Sequence, residues 1–525
     1  MATHDYVIDN STGANVRADI NNALSAIATS NSNSSAPTTT YASQFFADTS
    51  ASIMKLRNTA NNAYVNLFTL AGGPSFSANG TINGVNIGKG TNSASGNTAL
   101  GENALDAAVT GVDNTAIGSL ALTSHTSGQY SVAVGRKALE DNTTGSENTA
   151  VGAFSLRDNI SGSGNTALGA SALDANTTAS NNTAIGKSAL AVNTTGTNNV
   201  AVGAFTLDAN TTGNSNLGVG TSALSANTTG IDLVAIGHSA LALNTTANNN
   251  IAVGKDALNQ NTTGHSNIAV GKQALRVNTT ADNNTALGSF TLYDNTTGAS
   301  NVAVGRSALE NNTTANNNTA VGMNALTANT TGTQNTGVGT GALYANTTAD
   351  ENTAVGYFAL VSNTTGVENT AVGSTALDVN TTGSENVAVG RNTLGFNTTG
   401  GENTACGKSS LSQNTTGSEN TACGKDALGT NSTASDNTAV GHRALYRNTT
   451  GFRNAAVGAF ALQDNTTGED VTAVGANALD ENTTGSNNTA VGRRALNSNT
   501  TADGNTAVGA YAAYSGTTAG SNTAV

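Results

Sequence analysis

Tryptophan is absent from this 525-residue chain, proline and cysteine each occur twice, and charged residues make up only 10%. A row of ordinary globular domains needs bulky core side chains and a charged surface, so this composition excludes one. Two cysteines cannot build a disulfide framework. No run of about 18 apolar residues occurs, so no helical membrane insertion is expected. The opening residues Met1 to Tyr6 lack the basic and then apolar start of a secretory signal, so conventional export is not expected either. The net charge of −13, or about −39 for three chains, disfavours nucleic acid and anionic membrane as partners.

Chemistry-bearing patterns are missing too. His4, His125, His238, His265 and His442 are scattered and make no metal set, and neither a phosphate loop nor a cysteine pair at ligand spacing is present. No cofactor and no enzymatic activity are expected. A glycan-cleaving tailspike would need a carboxylate pair in a groove, which uniform repeats do not offer.

What the chain has instead is glycine, asparagine and threonine in a fixed period. Low charge with these residues would suit disorder, but from Asn97 to Asn522 a motif restarts 25 times at intervals of 17 residues without an insertion. In consensus it reads Asn-Thr-Ala-Val-Gly, two variable residues, Ala-Leu, two more, Asn-Thr-Thr-Gly, two more. A period kept this strictly means that each unit stacks in register on an identical one. Seventeen residues are too few for a helix pair or a propeller blade, and fit one coil of a parallel β-solenoid. The fold class expected is all-β: a β-roll of 17-residue coils over residues 97–525, homotrimeric, with a small α+β head at residues 1–71 and a junction or cap at 72–96. At about 4.8 Å per coil, the array would make a rod roughly 120 Å long.

The positions of the unit, with Asn97 as position 1, suggest how the coil is built. Position 4 is always apolar, as at Val151, and position 9 is Leu in 24 of 25 units, as at Leu139; these two are expected to form the core. Position 5 is Gly in all 25 complete units, as at Gly101, Gly118 and Gly135, which predicts a positive φ or a closely passing backbone. Asn at positions 1 and 12, as at Asn148 and Asn142, fits stacked amide ladders. The ladder also explains the repeated Asn-Thr-Thr without glycosylation, although each copy matches an acceptor site.

Position 3 bears on assembly. Strand alternation puts residues 3 and 4 on opposite faces, so with position 4 inside, position 3 should face out and vary. It is Ala in 24 of 26 copies, as at Ala150, and Gly at Gly218 and Gly337. The expectation is that sibling chains press on this face, as a trimer around a common axis, with a dimer or a lone solenoid as the other readings. One coil alone buries too little to offset the entropy of ordering its backbone.

Other positions carry two readings each. Cys406 and Cys423 both stand at position 4, one coil apart, and read as small core residues or as a bridge. Glu351, Glu368, Glu385, Glu402, Glu419 and Asp436 fill position 17 in six successive coils. Carboxylates about 4.8 Å apart repel by about 0.9 kcal/mol per pair even in bulk water. They read as a screened column offset by basic groups on a neighbouring chain, or as a Ca²⁺ or Mg²⁺ site. Phe154, Phe205, Phe290, Phe358 and Phe460 at position 7, with Tyr293, Tyr344 and Tyr446 at position 10, form an aromatic stripe. It would cover a seam between chains or, at Phe205, Phe290, Tyr293 and Phe358, touch a host glycan. Ice binding by the threonines is disfavoured, since paired threonines such as Thr143 and Thr144 would point to opposite faces if extended.

Residues 1–71 do not repeat. Asn15 to Ala28 reads as a short helix, and Tyr41 to Phe46, Ser52 to Arg57 and Ala63 to Leu70 as strands. In the junction, Gly84-Val-Asn-Ile-Gly88 reads as a degenerate copy of the motif, suiting a cap; at Val525, in mid-motif, the expectation is either that the sequence is cut there or that the tip is another segment or protein.

The stretch Tyr41-Ala-Ser-Gln-Phe-Phe-Ala-Asp-Thr, with Met54-Lys-Leu-Arg-Asn-Thr-Ala-Asn-Asn-Ala-Tyr-Val-Asn-Leu-Phe, resembles the N-terminal region of tail fibre proteins of marine and cyanobacterial phages. That resemblance implies a virion protein that docks on a phage tail or baseplate protein by its N-terminus and points outward to a host surface glycan or protein. The array is similar to the head repeats of trimeric autotransporter adhesins, whose Ser-Val-Ala-Ile-Gly motif is nearly spelled by Ser131-Val-Ala-Val-Gly135. This second resemblance implies trimeric left-handed parallel β-rolls, with a longer unit here than in the adhesins. It also keeps a cell-surface adhesin as the alternative function.

Overall fold

The computed structural model describes residues 32–33, 45–51, 53–57, 63–69, 80–82, 85–90, 94–515 and 519–525. The helix expected over residues 15–28 lies outside them, and no helix occurs among the described residues. The chain divides into two compact units: residues 1–171 with 176–178, and residues 172–175 with 179–525.

In the first unit a four-stranded sheet is built from β1 (Ser32–Asn33), β2 (Phe45–Asp48), β3 (Ile53–Arg57) and β4 (Tyr64–Thr69), in that order. β1 runs parallel to β2, and the β2/β3 and β3/β4 pairs are antiparallel. The turn after β2 is set by Asp48, whose carboxylate accepts from Ser50 N, Ser50 Oγ and Ala51 N and from Lys55 Nζ at 2.7 Å. The Lys55 and Ser50 donors hold that carboxyl well below the usual carboxylate range.

β5 (Gly80–Ile82) and β6 (Val85–Gly88) form an antiparallel pair, and β6 lies antiparallel on β7 (Thr98–Leu100). The degenerate motif copy is therefore not a coil of the stack. It covers the edge of the first coil, with Ile87 opposite Leu100 and Gly88 opposite Ala99, a standard way to protect a strand edge.

From β7 onward the architecture is the expected parallel β-solenoid of 17-residue coils. Each coil contributes one three-residue strand at positions 2–4, and successive strands pair parallel in register, as Thr404–Cys406 does on Thr421–Cys423. The remaining turns are stitched by backbone bonds one coil away. In the coil of residues 403–419, Gly407 N donates to Val389 O at 2.8 Å, Ser409 N to Arg391 O at 3.0 Å, Leu411 N to Ala427 O at 2.9 Å and Thr415 N to Ser432 O at 2.8 Å. Parallel stacking of equal coils thus satisfies backbone groups that irregular turns would otherwise leave open.

The polarity of the strand is the reverse of the sequence expectation. Ala150, Ala405 and Ala422 at position 3 are completely buried inside their own chain. Val151 and its counterparts at position 4 face outward, and so do Cys406 and Cys423, which are exposed free thiols rather than core residues or a bridge. The physical reason is the width of the coil. Leu at position 9 fills the interior, and a Cβ placed at Gly337 meets Leu326 Cδ1 and Cγ at 3.4 Å, so only a methyl fits between strand and leucine. The restriction to Ala or Gly therefore comes from the chain's own core and carries no argument for sibling chains. In the coil of residues 420–436 the inward set is Asn420, Ala422, Ala427, Leu428, Asn431 and Ala434.

Candidate functional site

Two asparagine columns line the interior. At position 12, Asn397 Nδ2 donates to Asn380 Oδ1 at 2.8 Å and to Gly400 O at 2.9 Å, and Asn414 repeats the pattern one coil on. Asn142 Oδ1 accepts from Asn159 Nδ2 at 2.8 Å while its Nδ2 donates to Gly145 O at 2.9 Å, and this is the expected amide ladder. At position 1 the arrangement differs: Asn403 Oδ1 accepts from Asn420 N at 3.0 Å while Asn403 Nδ2 donates to Gly417 O at 2.9 Å. Asn148 likewise accepts from Asn165 N and donates to Gly162 O. Position 1 is thus a backbone staple between the strand entrance and the turn at position 15, and in these coils it is also a rung of the expected ladder, Asn420 Nδ2 donating to Asn403 Oδ1 at 3.1 Å.

Gly at position 5 meets both expected conditions. φ is +148° at Gly101, +132° at Gly118 and +138° at Gly135, and a Cβ on Gly118 would lie 2.5 Å from the carbonyl oxygen of Gly135. Three non-glycine positions per coil also take left-handed backbone, which the sequence reading missed. Leu139 at position 9 has φ of 52°, Phe154 at position 7 has 62° and Glu147 at position 17 has 59°. Asn, Ser and Asp are frequent at positions 7 and 17 and tolerate that region, a signal available in the sequence; Leu at position 9 gives none. A further missed element is position 16, whose side-chain oxygen accepts the backbone N–H of its counterpart one coil before, as Ser435 Oγ does from Ser418 N at 3.0 Å.

The outward strand face forms a regular surface. Val355, Val389 and Val457 at position 4 are between 37% and 39% exposed, and Thr353, Val387 and Ala455 at position 2 stand beside them on the same face. The flanks differ in sign. Position 17, just before the strand, carries the column Glu351, Glu368, Glu385, Glu402, Glu419 and Asp436, all exposed. Position 6, just after it, carries Arg391, Lys408 and Lys425, also exposed. Among the described residues, no three His, Cys, Asp or Glu side chains converge to hold a metal ion, the acidic column included.

Position 6 also accounts for the aromatic stripe. Arg136 lies 5.3 Å over the ring of Phe154, Lys187 5.5 Å over Phe205 and Lys272 5.4 Å over Phe290, each cation reaching the aromatic of the following coil. Tyr293 accepts a hydrogen bond from Arg276 Nη1 at 2.7 Å, and Phe358 packs on Tyr357 at 4.2 Å. Of the four aromatics expected to touch a glycan, Phe290 and Tyr293 share a coil with their rings 6.1 Å apart, while Phe205 and Phe358 sit in other coils, so the four do not converge on one platform.

Several acids at position 10 are perturbed. Burial pushes the carboxyls of Asp208, Asp378 and Asp480 up, and Asp480 Oδ1 has no hydrogen-bond partner. His125 stands in the asparagine ladder: its Nε2–H donates to Gly128 O at 2.8 Å and its Nδ1 accepts from Asn142 Nδ2 at 2.9 Å. That fixes the neutral tautomer, and burial holds the imidazole below its ordinary value.

Among the described residues no helix is long and apolar enough to cross a membrane. No family model, no curated protein and no solved structure matches the chain.

Proposed function

We propose that the chain is a structural virion protein: the subunit of a homotrimeric phage tail fibre, joined to a tail or baseplate protein through its N-terminal region and extended toward a host surface glycan or protein. The observation that carries this reading is the outward strand face, where in most coils the position-4 aliphatic side chain is left more than a third exposed, as at Val355, Val389 and Val457. Contiguous apolar surface of that kind marks an interaction site, and a partner with the same repeat covers it coil for coil. Three copies turning this face to a common axis give a shaft whose stiffness comes from stacking. Its work is mechanical, and weak contacts repeated along it add by avidity. The resemblance of residues 41–68 to phage fibre N-termini favours the virion over a cell-surface adhesin.

The test is the mass of the purified full chain by sedimentation equilibrium, together with the reactivity of Cys406 and Cys423, the two thiols of the chain. A three-chain mass with thiols that react only after denaturation supports the trimer; a single-chain mass with freely reacting thiols overturns it. Negative-stain imaging of particles with a labelled N-terminus should place the label at the phage tail, and label on a bacterial envelope instead would turn the reading to an adhesin.

A further inference from the structure

The charged flanks of the strand face are unequal in a way that one chain does not use. Glu385 and Arg391 stand at opposite ends of the strand Val387–Val389, and Glu402 with Lys408 and Glu419 with Lys425 repeat the arrangement in the next two coils. A three-residue strand and the bend at the following Gly lie between the members of each pair, and no ion pair joins them within the chain. Arg391 and Lys408 have no ion-pair partner among the described residues, while Lys425 lies 3.7 Å from Asp426. Nor is an aromatic placed to engage these cations: where Arg136 meets Phe154 and Lys187 meets Phe205, Arg391 and Lys408 are followed one coil on by Ser409 and Asp426. The carboxylates meanwhile repel along their own column, one coil apart.

We infer that these two columns pair between copies of the chain, Glu385, Glu402 and Glu419 of one copy facing Arg391, Lys408 and Lys425 of the next, and that they fix the copies parallel and unshifted. This rests on the shaft reading above and adds the orientation of its chains. When two copies apply the same strand face to one another about an axis along the stack, their strands run oppositely across the interface. The acidic flank of each then meets the basic flank of the other at every level. Three copies around such an axis keep the same relation cyclically. If one copy is turned end for end, acid meets acid and base meets base. The aliphatic columns at positions 2 and 4 would tolerate either orientation, so the flanking charges decide between them, as charges at the rim of an interface do. Closed rotational symmetry allows no axial shift, which sets Glu385 against Arg391, Glu402 against Lys408 and Glu419 against Lys425.

The experiment uses the full chain, refolded as a mixture of isotopically light and heavy copies and treated with a carbodiimide, which links carboxylates to nearby amines. The expected products are peptides joining Glu402 to Lys408 and Glu419 to Lys425, one light and one heavy. In parallel, the triple reversal Glu385→Lys, Glu402→Lys, Glu419→Lys and the triple reversal Arg391→Glu, Lys408→Glu, Lys425→Glu should each weaken assembly about tenfold or more in about 0.1 M salt, and less in about 1 M salt. All six substitutions together should restore it. A multi-chain assembly that forms no such mixed peptides and is indifferent to both reversals would overturn the pairing and leave the shaft reading standing. A parent chain that sediments alone would overturn both.

Discussion

Ala405 and Cys406 are neighbours in one strand, yet the methyl of Ala405 is wholly buried and the thiol of Cys406 faces out. Because Leu at position 9 already fills the coil, Ala405→Leu must push two walls apart, at a cost of about 1–3 kcal/mol for an overpacked core. Cys406→Ser should leave the folding of a coil unchanged. Urea unfolding followed by circular dichroism checks both, and equal effects of the two substitutions would contradict the observed polarity.

Gly407 has φ of +131°, and a Cβ there would lie 2.7 Å from backbone atoms of Gly424. Gly407→Ala is therefore expected to destabilise by more than about 1–3 kcal/mol, since the residue is strained and the next coil cannot approach. Gly401, where a Cβ would come no closer than 3.1 Å to Ser384 O and where φ is not positive, serves as the control, and Gly401→Ala should cost far less. Hydrogen exchange should show the Gly407 lesion concentrated in the coils on either side of it, because each coil touches only its neighbours.

The contrast between these two sites marks what the sequence allowed one to read. A strict period, an invariant Gly and repeated Asn are direct records of stacking, so coil length, the close backbone approach and the position-12 ladder could be named from residues alone. The polarity of the strand could not. Alternation says that positions 3 and 4 lie on opposite faces, and the usual rule sends the larger hydrophobe inward. Here the interior is so thin that size overrides hydrophobicity: Ala150 goes in and Val151 stays out. The left-handed Leu139 is equally silent in sequence, since leucine has no preference for that backbone and is held there only by its burial. The cation over Phe154, Phe205 and Phe290 was hidden for another reason, as Arg136 and Phe154 are 18 residues apart and meet only through the coil geometry.

His125 gives a pH dependence of known sign. Its folded value lies below the ordinary 6.5, because burial disfavours the charged ring by more than its hydrogen bonds favour it. The unfolded chain therefore binds the proton more readily, and stability rises with pH across that window. The contribution is complete above the unfolded value and is lost as pH falls below it. His125→Asn, which restores the ladder residue of the other coils, should remove this dependence. Thermal melting of both proteins between pH of about 5 and 8 reads it directly, and parallel curves would refute the assignment.

Asp480 predicts the opposite slope. Burial, with Asp464 and Glu481 nearby, raises its carboxyl above the ordinary value; Oδ2 accepts from Asn477 at 2.8 Å and Oδ1 has no partner. A folded value above the unfolded one favours folding below the unfolded value, and that advantage disappears as pH rises through the folded value. Asp480→Asn should therefore raise the melting temperature at neutral pH and give no gain near pH of about 3. A gain that is equal at both pH values would mean that the charge is not the cause.

The ladder itself can be tested by changing one rung in two ways. Asn397 donates to Asn380 Oδ1 and Gly400 O and accepts from Asn414 Nδ2 at 2.7 Å, so all three bonds lie in a fully buried column. Asn397→Ala strips these partners, and each buried group left unsatisfied costs about 1–3 kcal/mol. Asn397→Asp keeps the size and the acceptor for Asn414 but turns a carboxylate toward two other oxygens in a dry site, which should be worse than the alanine at pH of about 7. Burial and the facing oxygens would raise the introduced carboxyl above its ordinary value, so its protonated form, a donor again, should recover stability as pH falls through that raised value. The urea midpoint of Asn397→Asp should thus lie below that of Asn397→Ala at neutral pH and approach or pass it near pH of about 4. If the gap between the two midpoints does not narrow on acidification, the amide protons of the column are not what holds successive coils together.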